Sequence, residues 1–153
     1  MDSHGSSATK FFFELTPERI LEAVERLGTR CTGRVLALNS MENRVYEVEL
    51  DADLRPSAGR WDGFVVVKFY RPGRWSKEQI LEEHGFLREC KEAELPVVVP
   101  LPFSDGSTLA EVPGAGIFYA AFPKVGGRLI DEMSPDELRR IGRLIGRLQI
   151  GRA

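Results

Sequence analysis

Residues 64–86, FVVVKFYRPGRWSKEQILEEHGF, hold the reading that decides the fold. Phe64, Val65, Val66 and Val67 are the β-branched and aromatic residues of a strand buried on at least one face, and Lys68 stands where that strand is about to leave the core. An ammonium at such a place needs an anionic partner, because desolvating an unpaired charge is costly. The RPGRW turn follows, and then Ser76, with Gln79 three residues later in the pattern of a capping box. A helix is therefore predicted to about Cys90 or Glu94, with Ile80, Leu81, Leu87 and Cys90 facing inward and Gly85 as a mild weakness.

Outward from this stretch the chain alternates in an orderly way. LTPERILEAVERLG, residues 15–28, has Thr16 as N-cap, Pro17 at the first helical position, Ile20, Leu21, Val24 and Leu27 on one face, and Gly28 to end the helix. GRVLALN and RVYEVEL are two β-rich runs joined by SMEN, which predicts an antiparallel hairpin. DADLRPSAGRWDG, residues 51–63, is rich in turn formers and reads as an exposed loop. Beyond the helix, a short extended segment, a strand near Thr108 to Val112, a Pro/Gly turn and a strand from Ile117 to Phe122 are expected. SPDELRRIGRLIGRLQ, residues 134–149, begins with Ser134, Pro135 and Glu137, a strong helix start, and carries the stripe Leu138, Ile141, Leu144, Ile145 and Leu148.

The predicted class is α+β. A twisted antiparallel sheet of five strands has the lysine strand near its middle, one long helix packs across it, and helices flank it at both ends.

Bulk properties fit one domain: 153 residues are enough to bury a core without staples. Twenty-one basic against 23 acidic residues leave a net charge of −2 with no long basic run, which argues against nucleic acid as a partner. Cys31 and Cys90 are isolated, so neither a disulfide framework nor a metal site is indicated, and both read as reduced apolar side chains. The opening MDSHGSSATK is polar and reads as a disordered leader over residues 1–10. It has no apolar segment of signal-peptide or membrane-span length, and a cytoplasmic location without membrane contact is expected.

Four blocks carry a family resemblance: LNSMENRVYEV (38–48), VVVKFYRPGRWSKEQILEEHGF (65–86), LPVVVPL (95–101) and GIFYAAFPKVGGR (116–128). Together with the order of elements they resemble the bacterial stress response kinase A family, within the aminoglycoside phosphotransferase and choline kinase superfamily, over roughly residues 11 to 148. The resemblance implies the small, ATP-binding lobe of a protein-kinase-like enzyme in residues 11–125. Residues 126–153 would form the hinge exit and the start of a helix leading to the large lobe.

By the same resemblance Lys68 would contact the α- and β-phosphates of ATP, steadied by Glu83, which lies 15 residues after it and 13 before Pro96. Glu82 ranks second, since adjacent helical positions point about 100° apart. The plain alternative is an ordinary ion pair at the sheet rim.

NSMEN, residues 39–43, would cover the phosphates without the glycines that protein kinases place there, with Ser40 and Asn43 as candidate donors; a plain hairpin turn is the alternative. Glu42 would repel phosphate unless a metal or Arg44 intervenes. Phe122, Pro123, Lys124 and Val125 would form the adenine hinge, and Val35, Val48, Val66 and Val99 could wall the ring. His84 reads as a satisfied structural histidine, because it has no second ligand-type residue at metal spacing. Arg71 and Arg74 read as a solvated rim.

Phosphoryl transfer also needs an aspartate for the attacking hydroxyl and ligands for Mg²⁺. In the superfamily these lie in an HGDxHxxN-type loop of the large lobe, which this sequence lacks, so no catalytic or metal-binding residue is expected in the chain and it reads as a truncated, inactive part of a hydroxyl-directed kinase with a stress-related role. The alternative is a stand-alone half-kinase that binds nucleotide or protein. A homodimer through the last helix, or a changed position of that helix, is also expected, because Leu144, Ile145 and Leu148 would be left bare without the large lobe.

Overall fold

The computed structural model describes residues 11–51, 63–127 and 132–150. The leader and almost all of the 51–63 loop lie outside the described residues. Helix α1 spans Pro17–Glu25 and is capped by the Thr16 hydroxyl, which accepts from the Arg19 amide. Strands β1 (Cys31–Leu38), β2 (Arg44–Leu50) and β3 (Phe64–Phe69) form a meander. Helix α2 (Lys77–Glu92) follows, started by a complete capping box between Ser76 and Gln79. Strands β4 (Ala110–Val112) and β5 (Ile117–Pro123) complete the sheet, and α3 runs over Pro135–Ile150 behind a Ser134–Glu137 box.

The sheet has five strands in the order β1-β2-β3-β5-β4, every neighbouring pair antiparallel, so the lysine strand is central. Because side chains alternate along a strand, the register divides the sheet into two unlike faces. On one, Val48 lies opposite Val65 and Tyr46 opposite Val67, which in turn opposes Ala121. This face packs with Phe12, Phe103 and the Ile20, Ala23 and Val24 side of α1 into the main core. The other face carries Val45, Lys68 and Ala120 in one row and Glu47, Val66 and Phe122 in the next.

Helix α2 covers one end of this second face, where Ile80 joins Tyr70, Leu109 and Ala120 in a smaller cluster. The inward side of α2 differs from expectation at one position. Leu81 is 40% exposed, because Ile80 and His84, one turn apart, take the inward stripe and turn Leu81 away. Cys90 is buried and Leu87 half-buried, as anticipated. Leu144 and Leu148 of α3 are half-buried, and Arg147 donates to the carbonyls of Ala93 and Glu94 beyond α2. The residues left exposed are therefore Leu138, Ile141 and Ile145; of the three expected to be bare only Ile145 is, since Leu144 and Leu148 are half-buried.

Candidate functional site

Lys68 lies second from the end of β3, on the open face, and its ammonium is 3.5 Å from Oε1 of Glu83. Glu83, not Glu82, faces the lysine. Both side chains remain partly in water, and such a pair contributes only about 0–1 kcal/mol to stability. The same ammonium lies 4.4 Å from the centre of the Tyr70 ring, which floors the site.

Behind this floor is a buried polar chain. The Tyr70 hydroxyl lies 3.3 Å from Nε2 of His84, and Nδ1 of His84 lies 2.9 Å from the Thr108 hydroxyl. Burial lowers the His84 pKa, with Glu83 pulling it back up and Lys68 and Arg88 pushing it further down. Burial also raises the Tyr70 phenol well above its ordinary range, and Glu83 adds to that. At neutral pH the chain is thus an uncharged imidazole between two hydroxyls, a satisfied structural histidine.

The β1–β2 turn is tied down at its second half. The side-chain oxygen of Asn43 accepts from the Arg71 amide at 3.2 Å, which leaves the amide nitrogen of Asn43 as its donor. Glu42 is held by Arg74 at 3.0 Å and Arg71 at 3.7 Å, while Arg44 stacks on Phe12. The charge of Glu42 is therefore answered by Arg71 and Arg74 instead of Arg44. Both arginines stay well exposed, as a rim would be, and with Phe11, Glu42, Pro72 and Gly73 they line an open groove of about 410 Å³ at the end of the turn. Ser40 is half-buried.

At the end of β5, Phe122 opposes Val66 on the open face, and Pro123 and Val125 are exposed. The Lys124 ammonium lies 2.6 Å from Oε2 of Glu47 and 4.6 Å from the Phe64 ring centre. This second lysine–glutamate pair was invisible in the sequence, since its partners are far apart in the chain.

The valines need correction. Val66 is on the same face as Lys68, but Val48 opposes Val65 in the closed core, and Val35 opposes Val48. Neither can wall a ring on the open face, because residues an odd number apart along a strand point to opposite sides. The apolar residues there are Leu36 and Leu38 of β1, both exposed, with Val45 and Val66.

The described residues include no group of three or more His, Cys, Asp or Glu side chains placed to hold a metal ion. Burial, with help from Glu25, pushes the half-buried Cys31 thiol up to about 11, and Cys31 and Cys90 are both free. No helix among the described residues is long and apolar enough to cross a membrane.

Comparison with known proteins finds kinases among the relatives of this chain. Stress response kinase A of Salmonella choleraesuis is 44% identical over 142 residues, and that of Escherichia coli 41%; the match takes in 92% of this chain and 40% of each relative. A serine/threonine protein kinase RdoA of Salmonella typhimurium is 43% identical over the same length. The chain thus spans about two fifths of the length of these curated relatives. Among solved structures, amicoumacin kinase hAmiN in complex with AMP-PNP, Ca²⁺ and Ami superposes with a TM-score of 0.67 at 20% identity, over 88% of this chain and 39% of that one, and shares the fold. The profile of the phosphotransferase enzyme family matches residues 34–150, and the chain belongs to that family.

Proposed function

We propose that this chain is the ATP-binding small lobe of a phosphotransferase that acts on a protein serine or threonine, or on a small-molecule hydroxyl. The observation that carries the reading is the Lys68–Glu83 pair at the edge of an open, partly apolar sheet face. Lys68 meets the α- and β-phosphates, Glu83 keeps its ammonium from folding back, and Ser40 and the Asn43 amide nitrogen donate from the turn above. The base lies against Leu36, Val45, Val66 and Phe122, with backbone groups of Pro123, Lys124 and Val125 at its edge.

Residues 11–125 make up this lobe, and residues 126–153 lead out of it. Mg²⁺ and the catalytic aspartate come from the rest of a longer chain, so this chain alone transfers no phosphate and works in the cytoplasm as part of the whole enzyme. One wall of a cleft binds nucleotide weakly, with a Kd of roughly 0.1–10 mM. Titration of ATP followed by amide NMR tests this: perturbations should centre on residues 40–48, 64–70 and 122–125 and vanish in Lys68→Ala. Identical perturbations in the variant would remove Lys68 from the site.

The exposed Leu138, Ile141 and Ile145 on α3 favour a second reading, a module that pairs with protein, in the simplest case a second copy. Light scattering decides it. A dimer that becomes monomeric in Ile141→Glu supports that reading, and a monomer at high concentration excludes the homodimer.

A further inference from the structure

The buried chain Thr108–His84–Tyr70 has no part in the reading above, yet it ends directly under the Lys68 ammonium. We infer that His84 is a positioning residue: by bonding Tyr70 and Thr108 together it sets the rotation of α2 and the orientation of the Tyr70 ring, and so brings Glu83 and Lys68 together.

His84 is 1% exposed, a polar side chain buried among the described residues. An apolar side chain of similar size would fill the same space but leave the Tyr70 and Thr108 hydroxyls without this partner, a cost that explains why a polar ring is needed there. A neutral imidazole offers one donor and one acceptor, and hydroxyls accept or donate by rotating, so both contacts are satisfied in either tautomer. Hydrogen bonds are directional, whereas the apolar contact of Ile80 one turn earlier is not.

The direction matters because α2 carries Glu82 and Glu83 side by side, about 100° apart around the axis. With the His84 ring fixed between Thr108 before β4 and Tyr70 after β3, the neighbouring Glu83 falls 3.5 Å from Lys68. On its other side the His84 ring meets the Phe122 ring edge-on at 6.4 Å, so the same anchor touches the strand leading to the hinge. The charged groups acting on the imidazole are Glu83 and Arg88 of its own helix and Lys68 of β3, and burial outweighs them in keeping it neutral.

The inference draws its functional meaning from the nucleotide reading, but its geometry is testable without nucleotide. An ammonium stem held over an aromatic face has its ε-methylene protons moved upfield by the ring current. In the folded, nucleotide-free protein this displacement is expected for Lys68; His84→Leu should lose at least half of it, and His84→Gln, which keeps a donor and an acceptor, should retain most. An unchanged Lys68 signal in His84→Leu overturns the inference. Should His84→Leu fail to fold, Thr108→Val removes only the far partner and must still shift the signal; no shift there overturns it equally. The two readings separate cleanly. Absence of any ATP effect on parent Lys68 sinks the nucleotide reading alone, while ATP binding of equal strength in the parent and a folded His84→Leu, where several-fold weaker binding is expected, counts against His84.

Discussion

Two lysine–glutamate pairs lie on one face of the same sheet, and they are built differently. Lys124 and Glu47 meet at 2.6 Å with side chains only 19% and 14% exposed, and the ammonium also covers the Phe64 ring. Lys68 and Glu83 stand at 3.5 Å with 25% and 48% exposed. A short, enclosed pair is committed to its partner, since separating it strands a desolvated charge. A longer, wetter pair can turn toward a third, anionic group at little cost. The contrast teaches that the first is a clamp joining the end of β5 to β2, and that the second is the one suited to a ligand.

The clamp should show the larger stability effect. Lys124→Met leaves the Glu47 carboxylate without its close partner and should cost about 1–3 kcal/mol in urea unfolding; a cost below the error of the measurement would reduce it to a surface contact.

Acid should act next, through the chain behind Lys68. The folded pKa of His84 lies below the ordinary 6.5, chiefly through burial. The unfolded chain therefore takes up its proton first, so the contribution of the neutral ring is complete above about pH 6.5 and is lost as pH falls from there through the lower folded value. Unfolding followed between pH 7 and 5 should show this slope, and His84→Gln should flatten it.

The smallest stability effect belongs to Lys68→Met, about 0–1 kcal/mol by the same urea assay, although the substitution should abolish the response to ATP. A large loss of stability instead would make Lys68 a second clamp and remove the contrast.

Much of this was readable in the chain. The three helix starts follow from local signals, Thr16–Pro17, the Ser76–Gln79 box, and Ser134 with Glu137, and the order of strands along the chain follows from the β-rich runs between them. The ion pair with Glu83 was also legible, through resemblance. What escaped depends on register and distance. The face on which Val48 and Val35 lie is set by their pairing across β1, β2 and β3. The Glu47–Lys124 clamp and the Asn43–Arg71 tie join residues that only the sheet brings together. Leu81 looked apolar and inward until His84, a polar residue, took the inward position with the help of Thr108 and Tyr70.

The most direct test of the account compares methyl groups on the two faces of the sheet while ATP is added. Val45 and Val66, beside Lys68, should shift in proportion to bound nucleotide, and Val48 and Val65, under α1, should stay in place. Shifts confined to Val48 and Val65, or Val45 and Val66 responses that persist unaltered in Lys68→Ala, would contradict it.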